Sequence, residues 1–315
     1  MKKVIWLVNE KKGNDYSLAI IFWYGVLEAM GYEVIYHNYQ EYLEKGIDDF
    51  YARAKAFNPD FIIVGAYDKI HTELVRVREF SKLYVLQSDD RWRYTNFSKF
   101  WIPFVDGVIS FEGDEVNYVS DGLLADNFCK MRWAFNPNTM CLGEVKRNIY
   151  VSHTGGIHGE RQKRLQDLKA KGIDVKLFQS AYYEETKQIW ASSQFSLCYT
   201  MNSLNTGREL KGRVIEIPNF CVLLTEKFPD MEDYYDMDTE CVLFNSDEEM
   251  IAKMEQLSND SVVYNKVFNA GRRALWNRNT VYTEWNKILP KIDPDYKKID
   301  VIKLLKERHG DFYIA

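Results

Sequence analysis

Residues 211–226 read KGRVIEIPNFCVLLTE, and three of their side chains are spaced for chemistry. Lys211 and Arg213 stand just ahead of Glu216. A helix over 209–217 would aim its free backbone N–H groups and both cations at an anion. Glu216, three residues past Arg213, falls on nearly the same face of such a helix. Cations for a diphosphate, then a carboxylate that can accept two hydrogen bonds from a ribose diol, make a nucleotide-sugar site. A surface helix carrying a solvated ion pair is the alternative reading of the same residues.

Further residues invite the same question. Gly155, Gly156 and Gly159 flank a strand-to-helix turn. Glycines there let the backbone close on a phosphate or sugar and point the N-terminus of a helix over 159–171 at it. Arg161 lies in the first turn of that helix, where a cation is unfavourable unless an anion sits there too. His153, after the preceding strand, could donate to a diphosphate or stabilise an anomeric centre; an incidental structural histidine is the competing reading. Asp89 and Asp90 follow a strand at its carboxyl end. One could act as general base on an acceptor hydroxyl, or the pair could form a turn or a helix cap. Trp92, Tyr94 and Trp101 could form a stacking wall for an acceptor or pack in a core.

These residues need a scaffold, and the sequence supplies an alternating one. Strand patterns at 4–8, 33–37, 61–66, 83–87 and 107–111 are interspersed with helical segments, among them an apolar stripe over 17–30 closed by Gly31. A second set follows a boundary near 138–147: strands at 148–152, 174–178, 195–199, 221–224 and 241–244, with helices at 159–171, 182–192 and 209–217. Ser246 and Glu249 form a capping box, and 261–289 and 297–308 read as helical. Strands separated by helices indicate right-handed βαβ crossovers and parallel sheets. The expected fold class is α/β, with a first domain over 1–140, a second over 141–290 and a closing helical segment over 291–315. Two such sheets facing each other would enclose a cleft.

The composition fits a soluble globular protein: 315 residues, 46% hydrophobic, 28% charged and 15% aromatic. A formal charge of −5 argues against broad nucleic-acid binding. The five cysteines (129, 141, 198, 221, 241) form no CxxC pair, so neither a disulfide framework nor a zinc site is indicated. The N-terminus runs straight into a strand pattern without an apolar leader, and no apolar run approaches the ~20 residues of a membrane span. A cytoplasmic location is expected.

Four segments resemble a known family. SDDRWRYTNFSKFWIPFVDGVIS (88–110), SHTGGIHGERQKRLQDLKAKGIDVKLF (152–178), KGRVIEIPNFCVLLTE and NAGRRALWNRNTVYTEWNKIL (269–289) are similar to blocks of GT-B glycosyltransferases in the family 4 sense. The similarity is greatest to the bacterial spore-maturation (CgeB-like) branch. The resemblance implies two Rossmann-like domains, with a nucleotide-sugar donor held mainly by the second and an acceptor mainly by the first. It also implies transfer of a hexosyl or pentosyl group without a bound metal or other cofactor, and final helices that cross back onto the first domain. Lys211, Arg213, Arg161, Gly155 and Gly156 would then meet the diphosphate, and Glu216 the ribose. As the leaving group departs, negative charge builds where those donors stand.

The resemblance departs from the family at Arg208, where a second carboxylate is usual, and near Phe220 and Cys221, where a glycine is usual. Asp236-Met237-Asp238 looks like the DxD of metal-dependent glycosyltransferases but sits in a loop after MEDYY, which makes it a coincidence. The acceptor could be a saccharide, a protein, a small metabolite or a modified base in DNA; Lys82, Arg91, Arg93 and Lys99 form a modest basic cluster for the last. A sugar-nucleotide epimerase on the same fold and a non-catalytic binding module are the alternatives.

Overall fold

The structure is a computed structural model. It describes the whole chain except residues 9–24, 66–71, 88–90, 112, 144, 158, 180–182, 202–207, 209, 211, 229, 238, 311, 314 and 315, and except the side chains of 39, 40, 43, 91–93 and 183. Asp89, Asp90 and Lys211 therefore lie outside the described residues, as do the side chains of Trp92, Arg91 and Arg93.

The chain divides into two compact units, one of Met1–Thr139 with Val281–Leu304, the other of Met140–Thr280 with Leu305–Ala315. The boundary expected at 290 gives way to this interleaving: Val281–Ile292 is a separate helix from Ser261–Arg278. Asn279 divides them. Its side-chain amide donates to the Tyr234 carbonyl at 2.8 Å, which turns the chain out of the first helix.

The first unit carries six parallel strands: β1 (Lys3–Val8), β2 (Glu33–Asn38), β3 (Phe61–Gly65), β4 (Lys82–Gln87), β5 (Gly107–Ser110) and β6 (Phe128–Lys130), in the order β2-β1-β3-β4-β5-β6. β1, β3 and β5 are buried over nearly all their residues, as expected of parallel strands covered on both faces. β6 is absent from the sequence expectations: three residues are too few to show a pattern. The returning helix Val281–Ile292 belongs to this core. Trp285 meets Trp6 of β1 edge to face at 5.5 Å, and buried Glu284 accepts the Arg132 backbone N–H at 3.0 Å.

The second unit carries five parallel strands: β7 (Ile149–Thr154), β8 (Lys176–Phe178), β9 (Ser193–Cys198), β10 (Val222–Thr225) and β11 (Val242–Leu243), in the order β11-β10-β9-β7-β8. From β7 the chain crosses to β8 on one side, then to β9 on the other. The β7/β9 pair is thus where the winding reverses. Helix Glu160–Ala170 follows β7, close to the expected range. In the capping box at helix Asp247–Asn259, the Ser246 hydroxyl accepts from the Glu249 N–H at 3.1 Å, while the Glu249 carboxylate reaches back to Asn245. Cys129, Cys198, Cys221 and Cys241 are buried. Among the described residues, no helix is long and apolar enough to cross a membrane.

Gly271, in helix Ser261–Arg278, lets that helix settle on the turn containing Pro218. A Cβ there would stand 2.3 Å from the Glu240 carbonyl oxygen and 3.4 Å from Pro218. Gly271→Ala is therefore expected to lower the unfolding free energy by ~1–3 kcal/mol, measured by urea denaturation.

Candidate functional site

Ligands of open parallel sheets bind beyond the carboxyl ends of the strands where the winding reverses. In the second unit that place is the end of β7 and β9, and three of the residues singled out from sequence meet there: His153, Arg161 and Arg213.

Arg213 donates to the carbonyl of Thr154, the last residue of β7. Its guanidinium occupies space that only a glycine at 155 leaves open. A Cβ on Gly155 would stand 2.8 Å from Nη1 and 2.9 Å from Nη2, and the backbone there has φ +99°, a left-handed conformation. Arg161 bridges the two strand ends. It donates to the Gly156 carbonyl beyond β7 and to the Met201 carbonyl beyond β9 at 3.0 Å. Burial, and then the charge of Arg213, make Arg161 harder to keep protonated than an ordinary guanidinium. Among the described residues, neither Arg161 nor Arg213 forms an ion pair. Their contacts are neutral carbonyls, which orient the cations without cancelling their charge.

Arg164, one helical turn beyond Arg161, shows the contrast. It donates to Glu226 at 2.6 Å and forms a two-point contact with Asp247, while its guanidinium lies over the Tyr199 ring at 4.1 Å. Burial works against its charge, but the hydrogen bonds to Asp247 and Glu226 outweigh it, so its proton is held more firmly than usual. Arg164 is neutralised and structural, whereas Arg161 on the same helix face forms no ion pair among the described residues. Glu226, buried just past β10, also accepts the Thr200 N–H at 3.0 Å and lies 3.6 Å from Arg208. Glu226 and Arg164 were not among the sequence candidates. Glu226's place one residue beyond an apolar strand is the signal that could have found it.

His153 is fully buried near the end of β7. Its Nδ1 lies 2.9 Å from the Leu197 carbonyl of β9. A carbonyl oxygen can only accept, so Nδ1 carries the hydrogen and Nε2 keeps its lone pair. Nε2 is buried and makes no hydrogen bond among the described residues; the Gly156 carbonyl acts on the ring from outside hydrogen-bond geometry. Burial foremost, with Arg213 and Arg161, pushes the pKa down to about 3. The neutral ring has one N–H, and that N–H is given to Leu197.

Glu216 is buried at 2% exposure, not displayed on a surface helix. The helix expected over 209–217 is replaced by two 3₁₀ turns, Gly212–Ile215 and Ile217–Asn219. Pro218 has no N–H to return to the Val214 carbonyl, which instead accepts the Tyr235 hydroxyl at 2.7 Å. The cationic end of this site therefore rests on side chains and not on a helix dipole at 209–217. A cavity of about 350 Å³ lies nearby between helix Glu160–Ala170 and β8; it shares Ile157 with the glycine loop but is lined by neither Arg161 nor Arg213.

Of the three aromatic residues of the expected wall, the Trp92 side chain lies outside the described residues, and the other two pack within the first unit. Trp101 is a core residue at 1% exposure. Tyr94 packs edge to face on Tyr118 at 4.8 Å, and its hydroxyl donates to the Asn117 carbonyl at 2.8 Å. Their hydrophobic surface is better satisfied under the neighbouring helices than in solvent. Lys82 of the basic cluster is exposed at the amino end of β4, away from the ligand end of the sheet.

The stretch that carries the arginine site, residues 141–289, matches a family model described as glycosyl transferase-like. Among solved structures, the chain is similar to HepE from Anabaena in complex with UDP, at a TM-score of 0.59 and 11% identity over 90% of this chain and 97% of that one. A glycosyltransferase from Rickettsia africae aligns at a TM-score of 0.58 and 9% identity over 93% and 98% of the two chains. A Listeria monocytogenes protein assigned as a UDP-N-acetylglucosamine 2-epimerase aligns at 0.55 and 11% over 96% and 98%. No curated protein matches the sequence. The fold is of the GT-B type, two Rossmann-like units on parallel sheets.

Two outcomes follow from this geometry. Gly155→Ala is expected to displace Arg213 and strain the left-handed backbone, lowering the unfolding free energy by ~1–3 kcal/mol in urea denaturation. Gly172→Ala, also at positive φ but in open space, is the control and is expected to lose less, because only the backbone strain applies there. The second outcome concerns pH. His153 binds a proton in the unfolded chain below pH 6.5 and in the folded chain only below about 3. Its contribution to stability is thus present above pH 6.5 and is lost as pH falls from there towards 3. Urea denaturation across that window is expected to show a steeper loss for wild type than for His153→Phe, by up to ~1.4 kcal/mol per pH unit.

Proposed function

We propose that the protein is a glycosyltransferase that takes a sugar from a nucleoside-diphosphate sugar and moves it to an acceptor hydroxyl. The observation that carries this is the pair Arg161 and Arg213: cations fixed by carbonyls, with no ion-pair partner among the described residues, at the reversal point of the second sheet. The glycosyl transferase-like match over residues 141–289 supports the same reading, as does the UDP held by HepE on this fold. The leaving diphosphate gains negative charge as its bond to the anomeric carbon breaks. Fixed cations already aimed at that charge stabilise the transition state without reorganising. Arg161 and Arg213 fill this role in the proposal, joined by Lys211, without a metal ion. Glu216 accepts the ribose hydroxyls, and Asp89 or Asp90 takes the acceptor's proton. In this proposal the chain is assigned to the CgeB-like branch of family 4, a reading supported by the similarity of its central blocks. The acceptor is a hydroxyl on a saccharide, a protein, a small molecule or a modified DNA base.

The test is turnover of a UDP-sugar panel with candidate acceptors, read as release of nucleoside diphosphate. Arg213→Ala and Arg161→Ala are each expected to lower kcat by ~10²–10³-fold, the usual cost of losing one such donor. Release should rise with acceptor concentration and survive EDTA. Conversion of the sugar without any acceptor would indicate an epimerase, and loss of turnover on chelation, restored by manganese, would overturn the metal-free mechanism.

A further inference from the structure

Arg161 and Arg213 would favour an anion, but the imidazole on which both charges act has the opposite need. His153 Nε2 has a lone pair, no exposure and no hydrogen-bond partner among the described residues; its neighbour there, the Gly156 carbonyl, can only accept. Its tautomer is locked from the other side of the ring by the Leu197 carbonyl. A buried acceptor left unmatched costs stability, so such an atom in a binding site indicates what the ligand brings. An anionic phosphate oxygen would meet the lone pair with repulsion. What satisfies it is an O–H or N–H on a group adjoining the phosphates.

Resting on the glycosyltransferase reading above, we infer that His153 is a specificity-determining hydrogen-bond acceptor for a hydroxyl of the sugar being transferred, and not a contact to the diphosphate. A nucleoside-diphosphate sugar has hydroxyls on both flanks of its phosphates. The ribose diol suits an ionised carboxylate, which can take two hydrogen bonds, and Glu216 provides it. The single neutral acceptor is left to the sugar. Arg161 and Arg213 are the charged groups among the described residues that act on the ring, and both favour the neutral form this role needs. A site built around a substrate hydroxyl rejects an analogue that lacks it much more strongly than an apolar pocket can reject a missing methylene. His153 therefore selects sugars that present a hydroxyl at this point and disfavours the corresponding deoxysugars.

The experiment compares UDP, a UDP-hexose and its deoxy analogues as ligands of the full chain by calorimetric titration, with wild type, His153→Phe and His153→Gln. Phe keeps the ring shape without the lone pair; Gln keeps an acceptor. The expected result is UDP affinity within ~3-fold of wild type in both variants. The preference for one hydroxylated sugar over its deoxy counterpart should fall by at least ~10-fold in His153→Phe and be partly kept in His153→Gln. Wild-type affinity for the sugar nucleotide should be flat between pH 6 and 8. The inference is overturned if His153→Phe weakens plain UDP as much as the UDP-sugar, or if affinity rises as pH falls through 7 in wild type alone; either result makes the ring a phosphate donor. Should His153→Phe fail to fold, His153→Gln with the deoxy series decides alone: a wild-type enzyme indifferent to every deoxy position contradicts the inference. Failure of the underlying reading is distinct, because UDP would then bind without regard to Arg161→Ala and Arg213→Ala.

Discussion

The candidate site depends on two guanidinium groups within electrostatic reach of each other that form no ion pair among the described residues. Like charges repel, and burial adds a desolvation cost, so the arrangement survives only because backbone carbonyls of Thr154, Gly156, Tyr199 and Met201 accept from them. Those carbonyls can do so because they lie at or just past the carboxyl ends of β7 and β9, where the ladder of the sheet runs out. The strand order thus has a chemical consequence. The chain leaves β7 towards one side and β9 lies on the other, so both sets of loose backbone oxygens face the same crevice. A dianionic group entering it would relieve the repulsion that the protein alone leaves in place.

The neighbouring arginine shows how the same helix separates structure from function. Arg161 and Arg164 share a face, yet Arg164 is closed off by Glu226, Asp247 and the Tyr199 ring. That closed network fixes the helix and the ends of β9 and β10, so that Arg161 is presented from a rigid base. Removing the acids from Arg164 would loosen the frame; supplying one to Arg161 would cancel the field that a diphosphate needs.

Much of the frame was legible in the sequence because parallel strands buried on both faces are continuous apolar runs, and such runs need no partner to be recognised. The Gly155–Gly156 turn and Arg161 were legible for the same local reason. What escaped depends on contacts remote in sequence. The helix expected over 209–217 fails because Tyr235 takes the Val214 carbonyl and Pro218 cannot compete for it. Gly155 is needed for Arg213, a residue far along the chain, and not for the turn alone. Trp101 and Tyr94 carry the residue types of a stacking wall, but only packing reveals that they serve the core and a neighbouring helix. The tautomer of His153 is set by Leu197 on an adjacent strand, which no spacing rule encodes.

The most direct test is a crystal structure of the protein with UDP. The account expects the diphosphate beyond the ends of β7 and β9, with oxygens about 3 Å from guanidinium nitrogens of both Arg161 and Arg213. A diphosphate bound elsewhere, with those two arginines still engaged only by carbonyls, would contradict it.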